Sequence, residues 1–203
     1  MPATRHLYLA RHAQADPATG ELTAAGRRQA DLLGARLREF SPQALWHGPL
    51  PRAEQTARRV AAQLKGVTPT ELPEAGDYAP HLPERHELPS ACADGVLDFL
   101  ARIPDAERSP ELGRRALDLL TGPVEGDSER REVVITHAYL VGWLVTAALQ
   151  APPWRWVSVG AANAGLTIIR HPPRHPSSVV VLNDLAHLPP ELHWTGFPAR
   201  LRP

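Results

Sequence analysis

Short apolar blocks alternate with amphipathic stretches along most of the chain, and the period of each stretch predicts an element. Leu7-Tyr8-Leu9-Ala10 is a brief apolar run of the kind that forms a buried strand. Thr23 offers an N-cap hydroxyl, and over residues 24–40 Leu33, Leu37 and Phe40 recur at three- and four-residue intervals, which predicts a helix with one apolar face. Ala44-Leu45-Trp46-His47 predicts a second strand. Pro51 suits the first turn of a helix, and the pattern then runs through Ala53, Thr56, Ala57, Val60, Ala61 and Leu64. Residues 72–89 are Pro-rich, too broken for regular structure and too long for a tight turn, a length at which loops often serve function. Helices are predicted over 96–103 and 110–120, the second with Ser109 as N-cap and Pro110 at the first helical position. Glu132-Val133-Val134-Ile135-Thr136 is the strongest strand, with the continuous apolar character of a central parallel strand covered on both faces. A helix over 138–149 follows it directly. Residues 164–169 and 178–182 predict two further strands that flank a Pro-rich turn and pair near a sheet edge.

This largely βαβα order predicts an α/β fold: a three-layer αβα sandwich whose central sheet is mostly parallel with an antiparallel edge. A length of 203 residues suits one domain with a sizeable core, and neither an internal repeat nor a linker divides the chain. With 22 basic and 22 acidic residues the formal charge is zero, so the total charge points to no nucleic acid and no anionic membrane as partner; positive potential must come from a local cluster. The single Cys92 excludes an internal disulfide framework and any C-x-x-C metal or redox motif. The N-terminus lacks the apolar stretch of a secretory signal, and the longest apolar run, 138–149, falls short of the ~20 residues that span a bilayer. The expectation is a soluble, cytoplasmic protein. The pattern specifies no oligomeric state.

Ligands of open α/β folds bind beyond the carboxyl ends of the strands. Two histidines stand there: His12 after the first strand, in Leu9-Ala10-Arg11-His12-Ala13, and His137 after the strong one, in Val134-Ile135-Thr136-His137-Ala138. Arg52 opens the helix after the second strand, where free backbone N–H groups and the helix dipole favour an anion. An imidazole among guanidinium groups suits a phosphate, because the Arg fork matches its oxygens. Neither G-x-S-x-G nor G-x-x-x-x-G-K-[ST] occurs, which argues against a serine hydrolase and a P-loop NTPase.

The segments L-Y-L-A-R-H-A-Q, L-T-A-A-G-R-R-Q-A, H-G-P-L-P-R-A-E-Q-T-A and V-V-I-T-H-A resemble, in that order, the signature segments of the histidine phosphatase superfamily, in its phosphoglycerate-mutase-like branch. The likeness extends to N-A-G-L-T-I-I and to the strand ending in Leu182-Asn183-Asp184. It implies the phosphoglycerate mutase-like fold, His12 as nucleophile, and Arg11, Arg52 and His137 as ligands of the transferring phosphoryl group, with His137 protonated. His12 is followed by Ala13 where the common pattern has Gly, and Ala18 occupies the place of a small polar residue that in many relatives adds a phosphate contact. The compact length resembles the phosphatases of the family more than its mutases. The resemblance therefore implies a metal-independent, cofactor-free phosphatase acting on a small phosphorylated substrate or a phosphoprotein. A phosphomutase and a catalytically silent phosphate- or phosphopeptide-binding module are the alternatives.

The resemblance also calls for an acidic proton donor after the second helix. The candidates are Glu74, Asp77 and Glu84, and spacing favours Asp77 with Glu84 next. Asp is one methylene shorter than the Glu of relatives, so the backbone must come closer, which adjacent Gly76 would permit. His81 and His86 match no metal spacing and are expected at the surface or the substrate rim. Trp154 and Trp156 are expected to pack the helix-to-strand connection, and Cys92 has no catalytic context.

Overall fold

The computed structural model describes residues 1–202. In chain order the elements are β1 (Pro2–Ala3), β2 (Arg5–Arg11), α1 (Ala24–Arg38), β3 (Ala44–His47), α2 (Pro51–Ala61), β4 (Pro69–Glu71), α3 (Ala93–Ala101), α4 (Pro110–Leu120), β5 (Val124–Glu125), β6 (Arg130–Thr136), α5 (Ala138–Ala148), β7 (Leu166–His171) and β8 (Ser178–Asp184). The main sheet runs β4-β3-β6-β2-β7-β8; β1 and β5 form a separate antiparallel pair. The β4–β3, β3–β6 and β6–β2 pairs are parallel, and β2–β7 and β7–β8 are antiparallel. The expected mixed α/β sheet with its antiparallel edge is therefore present.

Alternation along the strands divides the core in two. Leu7, Leu9, Val134 and Ile169 face α3, α4 and α5, where Leu100, Ala116, Leu120, Leu140 and Leu144 meet them. Tyr8, Ala10, Val133, Ile135, Leu166 and Ile168 face α1 and α2, against Leu33, Leu37, Ala53, Ala57 and Val60. Each fully buried Leu is worth about 1.5–3 kcal/mol of transfer free energy. Thr23 caps α1 by accepting from the Gly26 N–H, and Ser109 caps α4 by accepting from that of Leu112; such caps contribute about 1 kcal/mol.

Several boundaries differ from expectation for identifiable reasons. Strand β4 was not expected, because Pro69-Thr70-Glu71 has no apolar run; it is a three-residue edge strand that needs none. Helix α3 begins at Ala93 instead of residue 96, and β7 begins at Leu166 because Ala164, at φ 55°, and Gly165 are spent in a turn. The loop over 72–89 is more ordered than its prolines suggest: Pro73–Ala75 and Arg85–Glu87 are 3-10 turns. Trp154 and Trp156 are buried as expected, and the Trp156 Nε1–H donates to the His81 carbonyl at 2.9 Å. His81 also lies against Trp143, the rings stacked 6.0 Å apart, while His86 is exposed.

Candidate active site

The carboxyl ends of β2, β3 and β6 bring the sequence-predicted residues together. Arg11 ends β2 and His12 follows it; the His12 N–H donates to the Thr136 carbonyl at 2.8 Å, which carries the parallel ladder one residue past the strand. His137 is the N-cap of α5, directly after β6. The His12 and His137 rings lie 5.0 Å apart, and both residues are buried. Arg52, in the first turn of α2, reaches Asp77 at 2.7 Å, and the same Asp77 oxygen lies 3.3 Å from His137 Nδ1. Among the described residues no group of three or more His, Cys, Asp or Glu is placed to hold a metal ion, and no helix is long and apolar enough to cross a membrane.

One hydrogen bond sets the state of the His12 ring. Nδ1 lies 2.8 Å from the Ala13 carbonyl, which can only accept, so Nδ1 carries the proton and Nε2 keeps its lone pair. Burial pushes the His12 imidazole well below its ordinary value, helped by the positive charge of His137, Arg11 and Arg52 and opposed by the Ala13 carbonyl. Burial would raise Asp77, yet the hydrogen bonds and charges of His137 and Arg52 outweigh it and hold its carboxyl well below the usual range. His137 is pulled two ways: burial lowers its imidazole, the hydrogen bond and charge of Asp77 oppose that, and the net shift is downward.

Asp77 comes close by a different route from the one expected. The tightest approach is at Gly48, where a Cβ would lie 2.3 Å from the Ala75 carbonyl and 3.3 Å from His137 Nε2; Gly76 has an ordinary φ of −72°. The Thr136 hydroxyl donates to that same Ala75 carbonyl at 2.8 Å, drawing the 73–75 turn onto β6. The other acidic candidates lie elsewhere. Glu84 is exposed in a capping box with Glu87, and Glu74 is buried against Arg115. Ala18 is exposed on the loop after His12.

Two supports of the site went unassigned in the sequence. Thr56 Oγ1 accepts from the Ala13 N–H at 3.0 Å and donates to the Arg52 carbonyl at 2.7 Å, coupling α2 to the residue after His12. Asn163 Nδ2 donates to the His12 carbonyl at 2.9 Å. Both lie in the quoted segments, but nothing in their spacing says which backbone group they reach.

Comparison with known proteins shows the family and the fold. The profile described as histidine phosphatase superfamily (branch 1) matches residues 7–184. The serine/threonine-protein phosphatase PGAM5, mitochondrial, of Xenopus tropicalis is 31% identical over 196 residues, covering 93% of this chain and 68% of the relative. The Caenorhabditis elegans protein named serine/threonine-protein phosphatase Pgam5, mitochondrial, is 32% identical over 197 residues, covering 93% and 66%. The chain thus spans about two thirds of the length of these relatives. Among solved structures, a phosphoglycerate mutase from Plasmodium falciparum superposes with a TM-score of 0.61 at 18% identity, over 92% of this chain and 95% of the other, a likeness of fold. The relatives' names overturn the cytoplasmic expectation. It rested on the lack of an apolar secretory stretch, whereas mitochondrial targeting segments are amphipathic and Arg-rich. The chain belongs to the histidine phosphatase superfamily, branch 1, and is one of its phosphoric monoester hydrolases.

Proposed function

We propose that this phosphatase acts as a single domain, without a metal ion, through a phosphohistidine on His12. The observation that carries the reading is the His12 ring, with Nδ1–H committed to the Ala13 carbonyl and Nε2 left to attack. The substrate's phosphate enters where Arg11, Arg52 and His137 converge. Its two negative charges draw Arg52 and His137 away from Asp77 and raise the His137 and Asp77 pKa values, so that His137 becomes a cation and Asp77 takes up a proton. His12 Nε2 then forms the N–P bond in line as the ester P–O bond breaks, and Asp77 gives its proton to the leaving oxygen. The guanidinium groups and His137 stabilise the equatorial oxygens meanwhile. In the second step the Asp77 carboxylate takes a proton from water as that water attacks phosphorus. The N–P bond breaks, and inorganic phosphate leaves with His12 neutral again.

The names of the curated relatives support a phosphoserine or phosphothreonine of a protein as the substrate class, with small phosphate monoesters as the other class. Hydrolysis of nitrophenyl phosphate and of a phosphoserine peptide in EDTA tests the reading. Full activity in the chelator and its loss in a folded His12→Ala protein are expected. A rate abolished by EDTA and restored by a divalent cation would refute the metal-independent route, and isomerisation of phosphoglycerate without phosphate release would make the protein a mutase.

A further inference from the structure

The family profile ends at residue 184, yet the chain beyond it returns to the site. Leu192 is buried, and two fully or nearly buried side chains tie this segment to the nucleophile loop. Gln29, on α1, accepts from the Gln14 N–H at 2.9 Å and donates through Nε2 to the Leu192 carbonyl at 2.9 Å and to Thr195 Oγ1 at 2.8 Å. Asn163 donates its backbone N–H to the Thr195 carbonyl at 2.9 Å while its side chain holds the His12 carbonyl. The Phe197 N–H closes the turn on the Trp194 carbonyl at 3.1 Å, and the two rings pack edge to face. At the centre of the turn the Gly196 carbonyl accepts from Arg11 Nη1 at 2.7 Å, and the Ala161 carbonyl accepts from the same nitrogen at 2.8 Å. Arg11 Nε is buried and has no hydrogen-bond partner.

We infer that the turn Trp194–Phe197 is a positioning element for Arg11, one that turns the free Nε–Nη2 edge of its guanidinium toward the phosphate. The inference rests on Arg11 binding the phosphoryl group as proposed above. A guanidinium is planar, so two carbonyls on Nη1 set both its plane and its rotation, and the edge left over is the one that grips two oxygens at once. Without the Gly196 carbonyl, Nη1 would keep one anchor on a long, rotatable side chain. Gly196 suits the place on two counts. Its φ is +68°, and a Cβ there would lie 2.3 Å from Asn163 Oδ1 and 2.9 Å from Arg11 Nη1.

The test is a double-mutant cycle read by vanadate inhibition and by kcat for nitrophenyl phosphate, with the thermal unfolding midpoint of each protein measured alongside. Gly196→Ala is expected to weaken vanadate by about 10- to 100-fold, the scale of a misplaced binding group, and to add nothing in an Arg11→Ala background. Equal losses in both backgrounds, or no loss, overturn the inference while leaving the phosphate site intact. If Arg11→Ala itself leaves vanadate binding unchanged, the reading of the phosphate site falls, and the inference with it. Thr195→Val, which removes only the hydroxyl held by Gln29, gives the same coupling with a smaller loss if Gly196→Ala does not fold; vanadate inhibition unaltered there also overturns the inference.

Discussion

The two ends of β2 and β6 carry the same residue types to opposite effect. At the amino ends, Glu132 is buried and receives Arg5 at 3.2 Å and Arg130 at 2.8 Å, Arg5 also donates to the Leu119 carbonyl at 2.8 Å, and His6 lies 3.2 Å from Glu129. Every cation there has a carboxylate beside it. At the carboxyl ends, Arg11, His12, Arg52 and His137 have Asp77 alone among them. Arg5 Nε and His6 Nε2 at the amino ends lack a hydrogen bond but each faces a carboxylate at 3.2 Å, whereas Arg11 Nε and His137 Nε2 are buried with neither. Buried polar groups without partners are costly, so an arrangement that keeps them is not explained by stability. The paired end closes the sheet. The unpaired end suits an anion that arrives from outside, and in the proposed mechanism a dianionic phosphate would supply the missing charge.

Substitutions at the two ends should therefore separate turnover from stability. The largest effect is expected from Asp77→Asn, which should lower kcat for an alkyl phosphate by roughly 10²–10⁴-fold, the usual worth of general acid catalysis. Nitrophenyl phosphate, whose leaving group needs no proton, should lose far less; equal losses on both substrates would take the proton-donor role away from Asp77. Arg52→Ala comes next, with kcat/KM lower by about 10²–10³-fold, as for other single donors to a developing oxyanion, and an unchanged unfolding midpoint. An Arg52→Ala protein that melts early while its folded fraction turns over normally would place Arg52 among the structural pairs instead. At the opposite end, Glu132→Gln leaves Arg5 without its charge partner and is expected to cost about 3–5 kcal/mol in denaturant unfolding, with kcat of the folded protein unaltered. A fall in kcat there would break the division between the two ends.

How much of this was legible in the sequence depends on what each feature rests on. The strands β2 and β6, the caps Thr23 and Ser109, and the placement of Arg11, His12, Arg52 and His137 rest on local pattern and on the rule that sites follow strand ends, and they are where the pattern puts them. The pull on His137 was not legible, because it depends on burial and on the nearness of Asp77, tertiary quantities that spacing does not carry. Which of Glu74, Asp77 and Glu84 lies beside Arg52 and His137 needed the fold as well: all three lie within one loop, and Asp77 is the one that faces both. Gly48 and Gly196 were unreadable for a similar reason: each glycine permits a close approach to a partner far away in sequence, His137 and Arg11 respectively.

The proposed mechanism turns on a covalent bond between phosphorus and the His12 ring. Wild-type protein mixed with a labelled phosphate ester and quenched within the first turnover should carry about one phosphoryl group per active site, labile to acid and stable to alkali, and His12→Ala should carry none. A burst of the same size in His12→Ala, or a wild-type protein that hydrolyses the ester with no labelled protein at any time, would contradict it.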